Sequence, residues 1–288
     1  MKNFKNYLVA ALACASFSSC IVDDEIETNT ELFNGPLVTG FKDQTTLANF
    51  VQEAGATFDF GVPVHIIGGA SGQPSNSTIT MNYSIGSLDD VDFLDADQKQ
   101  NLLDNADLGV VGTHFDFRDG TPQTIIPATS TFDLIDLDVY NDALDGGKTT
   151  YFVLNLTQLT SVDNVVIGEQ RKTTLVTIQL CRTDLGVPYN TFYNGGTTPR
   201  SHAITHVGSG NYKLDSMFGW PGAGYTSDFF ACAGNVTFTG WIFSNPIIQG
   251  VPGTVNSTTG DVQFTQFGIG RSSGPPIFSG WTIDMIKL

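Results

Sequence analysis

The sequence is short of basic side chains. Its 288 residues include 13 Lys+Arg against 29 Asp+Glu, a formal net charge of −16. A nucleic-acid partner needs a basic face that neutralises phosphates, so the composition argues against one. Charged residues make up only 15 % of the chain, and hydrophobic residues make up 41 %. That apolar fraction can fill a core, which excludes a wholly disordered chain.

The sequence also lacks the patterns of common catalytic sites. It has no Gly-rich phosphate loop with its Lys. His202 and His206 have helical metal-site spacing, but their β-branched surroundings predict a strand, where they would lie about 13 Å apart. Residues 270–274 match the nucleophile-elbow pattern, yet two prolines follow where a helix is needed, and no histidine comes later. No two of the five carboxyls in residues 182–288 can be paired as in a glycosidase. We therefore predict no enzyme, with a hydrolase of unrecognised site as the third hypothesis.

No hydrophobic run is long enough to span a bilayer, which needs about 20 residues. The longest one near the start, residues 7–15, follows Lys2 and Lys5 and precedes Phe17-Ser18-Ser19-Cys20. This arrangement resembles a bacterial lipobox, which implies cleavage before Cys20 and lipidation of its sulfur. The alternative is an ordinary secretory signal with an incidental cysteine. Residues 1–19 are thus predicted to be a lipoprotein signal peptide, and the partner it implies is a membrane.

An acidic run follows Cys20, from Asp23 to Glu27. It resembles the surface-export signal of Bacteroidota-type lipoproteins, which implies an outer-membrane protein that is exposed on the cell surface. The alternative is a solvated acidic tether. We interpret residues 20–34 as a flexible acidic stalk.

Charge is unevenly distributed along the chain. Residues 20–181 carry 24 acidic and 6 basic side chains, whereas residues 182–288 carry five of each and no Glu. Such a change in composition predicts a domain boundary. The 31 glycines and the abundance of Thr, Val, Ile and Phe favour strands and turns. The predicted fold class is all-β, with two β-sandwich-like domains at residues 35–180 and 181–288, the second a sandwich or barrel-like.

The first domain shows strand patterns around one helical segment. Residues 79–85 alternate cleanly, with Ile79, Met81, Tyr83 and Ile85 on one face. Residues 93–103 instead have apolar residues at helical spacing, which predicts a short inserted helix. Further strands are predicted in residues 38–41, 57–67, 123–126, 131–139, 150–156 and 173–180.

Residues 124–180 resemble the second half of a Calx-β-like domain. The motifs that carry the likeness are Ile126-Pro127-Ala128-Thr129-Ser130-Thr131, Leu137-Asp138-Val139-Tyr140-Asn141-Asp142, Tyr151-Phe152-Val153-Leu154-Asn155-Leu156, Val166-Ile167-Gly168 and Val176-Thr177-Ile178. The resemblance implies an immunoglobulin-like sandwich placed before a C-terminal module.

Calx-β domains can bind calcium through clustered acids, so the resemblance implies a candidate calcium site. Its candidate ligands are Asp136, Asp138, Asp142 and Asp145. Calcium takes six to eight oxygen ligands, and Lys148 stands near where the family has a further acid. The alternative is a solvated strand face before a Gly-rich turn. No other cofactor is predicted.

The C-terminal residues predict a second all-β module. Strand patterns at 211–214, 235–243 and 261–269 are separated by Gly-rich turns. The layout resembles the C-terminal domain of uncharacterised Bacteroidota lipoproteins. Cys181 and Cys232 are the even pair left in an oxidising compartment, so we predict a disulfide that contributes roughly 3–4 kcal/mol. The alternative is two buried thiols.

Aromatic residues crowd one Gly/Pro segment of this module. Trp220 and Tyr225 flank it and could form a platform for sugar rings. The more ordinary interpretation is that they pack as core under a long loop. Phe-Thr-Gly-Trp241 and Phe-Ser-Gly-Trp281 are similar segments and are predicted to mark paired strands.

These patterns predict a non-catalytic cell-surface lipoprotein. Its leading function is a binding module, with polysaccharide as the ligand and a surface protein as another possible partner. The alternative is a structural or adhesive spacer, stiffened by calcium if the aspartates converge.

Overall fold

The computed structural model describes residues 35–69, 73–220 and 224–288. Strands dominate these ranges, and α1 (Ala96–Asn105) is their α-helix. No helix in the described ranges is long and apolar enough to cross a membrane. The predicted all-β class is confirmed.

The N-terminal half contains two facing sheets. Its strands are β1 (Leu37–Phe41), β2 (Thr45–Val51), β3 (Thr57–Gly68), β4 (Ile79–Gly86), β5 (Ala106–Leu108), β6 (Phe115–Phe117), β7 (Gln123–Ile126), β8 (Phe132–Tyr140), β9 (Thr149–Thr160), β10 (Val165–Ile167) and β11 (Thr173–Cys181). One sheet has the order β10-β1-β3-β8-β6. The other runs β2-β11-β9-β4-β7, with β5 parallel to β9. This arrangement is a β-sandwich.

Alternation in the sequence fills the space between the two sheets. Ile79, Met81 and Tyr83 of β4 are buried, as predicted, whereas Ile85 near the strand end is 41 % exposed. From β9, Phe152 and Leu154 are fully buried in the same cluster. Burial of these apolar side chains is the main stabilising contribution to this half.

The predicted helical insertion is present between β4 and β5. Helix α1 begins after Asp95, whose carboxylate accepts a hydrogen bond from the Gln98 amide at 2.8 Å. The Gln98 side chain in turn accepts from the Asp95 amide, which completes a capping box. No residue of α1 is buried, so its capped end and the partly buried Leu102 hold it on the sandwich.

The C-terminal half folds into one closed sheet. Its strands are β12 (Pro188–Tyr193), β13 (Arg200–Gly208), β14 (Asn211–Leu214), β15 (Ser227–Cys232), β16 (Asn235–Trp241), β17 (Ile247–Gln249), β18 (Gly253–Val255), β19 (Val262–Ile269) and β20 (Phe278–Lys287). Eight of them follow the order β14-β13-β12-β20-β19-β18-β16-β15, and β15 pairs back to β14. All these pairs are antiparallel, so the sheet is barrel-like and its interior is filled by side chains.

The two halves meet at one end of the closed sheet. Cys181 of β11 pairs with Cys232 of β15, and a disulfide joins them with a Cα–Cα distance of 3.9 Å. The predicted disulfide is therefore present. The two clusters of buried residues change over between Leu180 and Leu185, beside the boundary predicted after residue 180.

The opposite end of the closed sheet is called the far end here. There β12, β14 and β16 finish, at Tyr193, Leu214 and Trp241, and β13, β15 and β20 begin. From Asn235 to Trp241, β16 rises about 20 Å at ~3.3 Å per residue. The far end thus lies well away from the N-terminal half.

The prediction that the two Phe-x-Gly-Trp segments form paired strands is wrong. They end β16 and begin β20, which belong to the same closed sheet but are separated by β18 and β19. Local sequence similarity places both tryptophans at the far end without making their strands neighbours.

Candidate functional site

Partly exposed aromatic rings collect at the far end of the closed sheet. We call this set the aromatic rim, and its members are Tyr193, Trp220, Tyr225, Trp241, Phe243, Phe278 and Trp281. The set includes all three tryptophans of the protein. Five of the rings are half-buried against the core, Trp281 is also half-buried, and Phe243 is 42 % exposed.

The rings of the aromatic rim form a continuous run. Ring centroids lie 5.8 Å apart from Tyr193 to Trp281, 4.3 Å from there to Phe278, and 5.8 Å from Phe278 to Trp220. The run continues over 5.9 Å to Tyr225, and then by steps of 5.4 and 5.0 Å through Phe243 to Trp241. Most of these pairs meet edge to face, a favourable geometry. The run therefore connects rings from β12, β20, the β14–β15 connection and the end of β16.

A buried phenylalanine positions Trp220. Phe218 lies in the connection from β14 to β15, and its ring is fully buried against Phe238, Phe264 and Phe267. Its φ of +52° is in the left-handed region, which is costly for a residue with a Cβ. The surrounding rings hold this conformation, so Trp220 leaves the core at a fixed angle.

The next residue allows the loop to approach β13 closely. A Cβ added at Gly219 would lie 2.7 Å from the Cβ of Arg200 and 3.0 Å from the Ser201 carbonyl oxygen. The φ of Gly219 is +69°, which also favours glycine. Arg200 is thereby brought beside Trp220, and its guanidinium carbon lies 5.1 Å from the Tyr193 ring centroid.

Tyr193 connects the rim to the core. Its hydroxyl donates a hydrogen bond to the carbonyl oxygen of Phe218. Burial raises the pKa of Tyr193, so the hydroxyl stays protonated over the physiological range and remains a donor. Trp241 is fixed similarly, because its Nε1–H donates to the Asn245 carbonyl oxygen at 2.6 Å. With their polar atoms occupied, these two residues offer mainly ring surface to a ligand.

The sequence left open whether Trp220 and Tyr225 form an exposed platform or pack as core, and in the structure they do part of each. Their ring centroids are 5.9 Å apart and both rings pack on the core, yet both keep part of their surface exposed. The backbone holds them together, since the Met217 amide donates to the Tyr225 carbonyl oxygen at 2.6 Å. The structure thus brings the two predicted ligand-binding residues together at the rim.

The four candidate calcium ligands have separate partners. Asp138 binds the Arg118 guanidinium at 2.7 Å, and Asp59 shares that guanidinium. Asp142 accepts from the Gly55 amide at 2.9 Å, and Asp145 from the Gly147 amide at 2.7 Å. Asp136, the fourth candidate, pairs across the sheet with Gly61. Within the described ranges, no group of three His, Cys, Asp or Glu side chains could hold a metal ion.

Arg118 neutralises negative charge on the face that carries Asp59 and Asp138. The nearby aspartates raise the pKa of the Arg118 guanidinium, chiefly through its hydrogen bond to Asp138. A bound calcium ion would have to displace that cation from Asp138 before the carboxylate could serve as a ligand. Calcium binding stays a prediction, and its residues are not gathered around one point.

His202 and His206 occupy β13, as the sequence predicted from their β-branched neighbours. The His202 ring is buried and its Nδ1 lies 3.2 Å from the Thr191 hydroxyl oxygen. Burial lowers the pKa of His202 and so favours the neutral ring. The two histidines contact different rings, Tyr189 and Tyr212 respectively, and form no shared metal site.

A cleft also lies where the two halves meet. It measures about 740 Å³, and helix α1, β9, β11 and the turn after Cys232 line it. Three of its polar side chains already have partners, since Gln179 donates to the Thr149 hydroxyl at 3.0 Å and Lys148 donates to Asp107 at 2.9 Å. The aromatic rim is therefore the better candidate for ligand binding.

Sequence reasoning found two rim residues and missed several of their partners. Tyr193, Phe243 and Phe278 reach the rim only because the closed sheet brings the ends of β12, β16 and β20 together. The repeated Phe-x-Gly-Trp segment was the one local signal that could have included Phe278. Cys20 and the acidic run after it lie outside the described residues.

Among known proteins, the chain is similar to solved structures at low sequence identity. No protein-family profile matches the chain, and no curated protein sequence matches it. A protein of unknown function from Bacteroides ovatus is 11 % identical and has a TM-score of 0.40, with 89 % of this chain and 91 % of that chain covered. An auxiliary nutrient binding protein from Bacteroides thetaiotaomicron is 11 % identical with a TM-score of 0.38, covering 85 % and 91 %.

About half of the chain is similar to Calx domain structures. The Calx CBD2 domain is 12 % identical with a TM-score of 0.31, covering 50 % of this chain and 88 % of that chain. All three TM-scores lie below 0.5, so these likenesses carry no argument about function. The proposals below rest on the residues of this chain.

Proposed function

We propose that the protein is a non-catalytic polysaccharide-binding lipoprotein of the cell surface, and that the aromatic rim is its binding site. The observation that carries the proposal is the unbroken run of seven partly exposed rings, which includes every tryptophan of the chain. It lies at the open end of a closed antiparallel sheet, a common place for ligand sites.

The ring run suits a carbohydrate chain because of its shape and chemistry. A sugar ring presents one face of C–H groups, which packs on an aromatic ring, and hydroxyls at its edge, which need polar partners. Successive rings at 4.3–5.9 Å offer repeated contacts of the same kind. A repeating polymer can use all of them, whereas a single small sugar can use only one or two.

Polar groups beside the rings can bind sugar hydroxyls. The carboxamide oxygen of Asn194, next to Tyr193, accepts a hydrogen bond from the Thr282 amide at 3.0 Å, so the group is held in place. Ser279 and Ser273 are exposed in and beside the β19–β20 connection. These groups would set orientation while the rings supply most of the contact area.

The carboxylates of this half support binding over hydrolysis. Asp184 binds Arg182 and Lys287, and Asp261 accepts from the Thr259 hydroxyl at 2.7 Å. Asp284 accepts from the Gln263 side chain, and Asp228 lies across the sheet from Lys213. Asp215 accepts from the backbone amides of Ala203 and Ser216. A glycosidase would need two of these carboxyls facing each other across a sugar.

The rest of the chain would present the rim to the outside. Lipid on Cys20 would anchor the chain to the outer membrane, and residues 20–34 would form the stalk. The sandwich would follow the stalk, and the far end of the closed sheet would lie on the side away from the sandwich. In this proposal the N-terminal half is a carrier, and the C-terminal half binds.

The proposal can be tested by affinity electrophoresis of the chain from residue 20, with Cys20→Ser to prevent lipidation. Retardation by at least one polysaccharide is expected, and Trp220→Ala should abolish it. Phe132→Ala is the matched control, because Phe132 is a 49 % exposed aromatic residue of the N-terminal half. It should leave retardation unchanged.

Two results would contradict the proposal. Absence of retardation across neutral and acidic polysaccharides would favour the spacer or adhesin hypothesis. Retardation that survives Trp220→Ala but is lost with Phe132→Ala would move the site to the sandwich. Repeating the assay with EDTA would show whether calcium contributes to binding.

A further inference from the structure

The aromatic rim has two exposed basic side chains beside it, Arg200 and Arg271. The C-terminal half has five basic side chains, and three of them have acidic neighbours within that half. Arg182 and Lys287 both bind Asp184, at 2.7 and 3.0 Å, and Lys213 lies opposite Asp228. Arg200 and Arg271 form no ion pair with any residue that the structure describes.

These two arginines lie at the aromatic rim. Arg200 begins β13 and its guanidinium lies over Tyr193, with its Cβ against Gly219 next to Trp220. Arg271 follows Gly270, whose amide donates to Pro246 and whose carbonyl oxygen accepts from Asn245. Asn245 in turn accepts the indole N–H of Trp241. One arginine thus lies near each end of the ring run, and both are exposed.

Four of the five carboxylates of this half accept hydrogen bonds, as described above, and Asp228 lies opposite Lys213. Asp215 and Asp228 lie near the far end, where Asp215 accepts from two backbone amides. The far end also lies about 20 Å along β16 from the junction with the acidic N-terminal half. Ionic screening reduces charge interactions beyond about 8 Å at physiological salt. The negative charge of residues 20–181 therefore has little influence on an anion bound at the rim.

We propose that the aromatic rim binds an acidic polysaccharide, one whose sugar units carry carboxylate groups, and that Arg200 and Arg271 contact those groups. This inference rests on the proposed function and adds the ligand class to it. A guanidinium presents a planar pair of N–H donors that matches a carboxylate, and such charge-assisted bonds are stronger than neutral ones. Rings would pack on the sugar faces while the arginines select charge.

The test compares polysaccharides that differ only in charge. Polygalacturonate and alginate are each assayed beside their methyl-esterified forms by affinity electrophoresis, using the Cys20→Ser chain. We expect binding of at least one acidic polymer that is weakened about tenfold or more by esterification. Binding should also weaken as salt rises.

Variants then locate the charge selection. The double variant Arg200→Gln/Arg271→Gln should reduce binding of the acidic polymer about tenfold or more while leaving the esterified form unaffected. Lys213→Gln removes one positive charge from the same half and should have little effect, since Lys213 lies on β14 opposite Asp228. Near-ultraviolet circular dichroism checks that the ring packing is intact.

The outcomes separate the two proposals. Equal binding of acidic and esterified polymers, lost with Trp220→Ala, would overturn the charge selection and leave the rim as the polysaccharide site. Acidic binding that is unchanged in the double arginine variant would also overturn it. Failure of every polymer to bind would overturn both proposals, and would favour a protein partner.

Discussion

The two halves of the molecule are both built mainly from antiparallel strands, yet they differ in closure, charge and exposed chemistry. The N-terminal half is an open sandwich with both sheets ending in edge strands, and its sequence from residue 20 carries 24 acids against 6 bases. The C-terminal half closes its sheet on itself, carries five charges of each sign, and holds all the tryptophans at one end. Closure brings distant strand ends together, which makes a composite site possible there.

Truncating one core at a time tests whether the two halves are stabilised separately. Phe152→Ala and Phe218→Ala each remove a fully buried ring and should each cost about 3–5 kcal/mol. Tryptophan emission reports only on the C-terminal half, because all three tryptophans are in the rim. We expect Phe218→Ala to lower the midpoint of the emission change in urea strongly.

Phe152→Ala is the matched comparison for that experiment. It should shift the unfolding seen by far-ultraviolet circular dichroism more than the unfolding seen by tryptophan emission. Identical shifts by both probes would show that the halves unfold as one cooperative unit, contrary to the separation of their cores.

Removing the disulfide should have the next largest effect. The Cys181–Cys232 bond closes a loop across 51 residues, and its loss is expected to cost about 3–4 kcal/mol. The cost should fall on the C-terminal half, since that loop contains β12 to β15. The double variant Cys181→Ala/Cys232→Ala should therefore lower the tryptophan-reported midpoint most, and an unchanged midpoint would contradict this view of the bond.

How much of this the sequence could predict differs between the halves. The alternation in residues 79–85 and the helical spacing of apolar residues in 93–103 predicted β4 and α1, because these signals are local. Strand β2 was missed, since Thr45–Val51 lacks clean alternation and its parallel pairing with β11 is set by tertiary contact. Closure of the second sheet depends on β14–β15 pairing, which no local pattern specifies.

The same limit applies to the site. Trp220 and Tyr225 were identified because they are close in sequence and flank one Gly/Pro segment. Tyr193 and Trp281 are 88 positions apart and meet only through the register of β12 with β20. Arg200 was not singled out, because its significance depends on where the five carboxylates of the half find their partners.

The next prediction concerns the buried ion pair of the C-terminal half. Arg182 is buried and binds Asp184 through two hydrogen bonds of 2.8 and 2.7 Å. The Arg182 hydrogen bonds hold the pKa of Asp184 well below its usual range. Because the folded-state pKa is depressed, the pair stabilises the fold above the unfolded-state pKa of about 4 and loses that contribution as pH falls below it.

Asp184→Asn measures this contribution. Since the Asp184 side chain is 46 % exposed and partly screened, a loss of roughly 1–2 kcal/mol is expected at pH 7. The difference from the parent chain should shrink as pH falls below about 4. Urea unfolding at several pH values checks this, and a difference that does not change with pH would contradict the assignment.

The smallest effect is expected for the matching arginine of the N-terminal half. Arg118 binds Asp138 and Asp59, but its side chain is 39 % exposed and that of Asp59 is 82 % exposed. Exposed pairs are weakened by solvent screening, so Arg118→Gln should change the free energy of unfolding little. If calcium raises the unfolding temperature of Arg118→Gln but not of the parent chain, Asp138 can serve as a calcium ligand once Arg118 is removed. Calcium binding would then be a property of the N-terminal half.

Acrylamide quenching of tryptophan emission, with and without a polysaccharide that retards the chain, tests directly whether the aromatic rim is the binding site. Every tryptophan lies in the aromatic rim, so a ligand bound there must shield them. We predict that saturating polysaccharide lowers the quenching constant, and that Trp220→Ala removes both binding and shielding. Binding that leaves the quenching constant of the parent chain unchanged would place the ligand elsewhere and show that the aromatic rim is not the binding site.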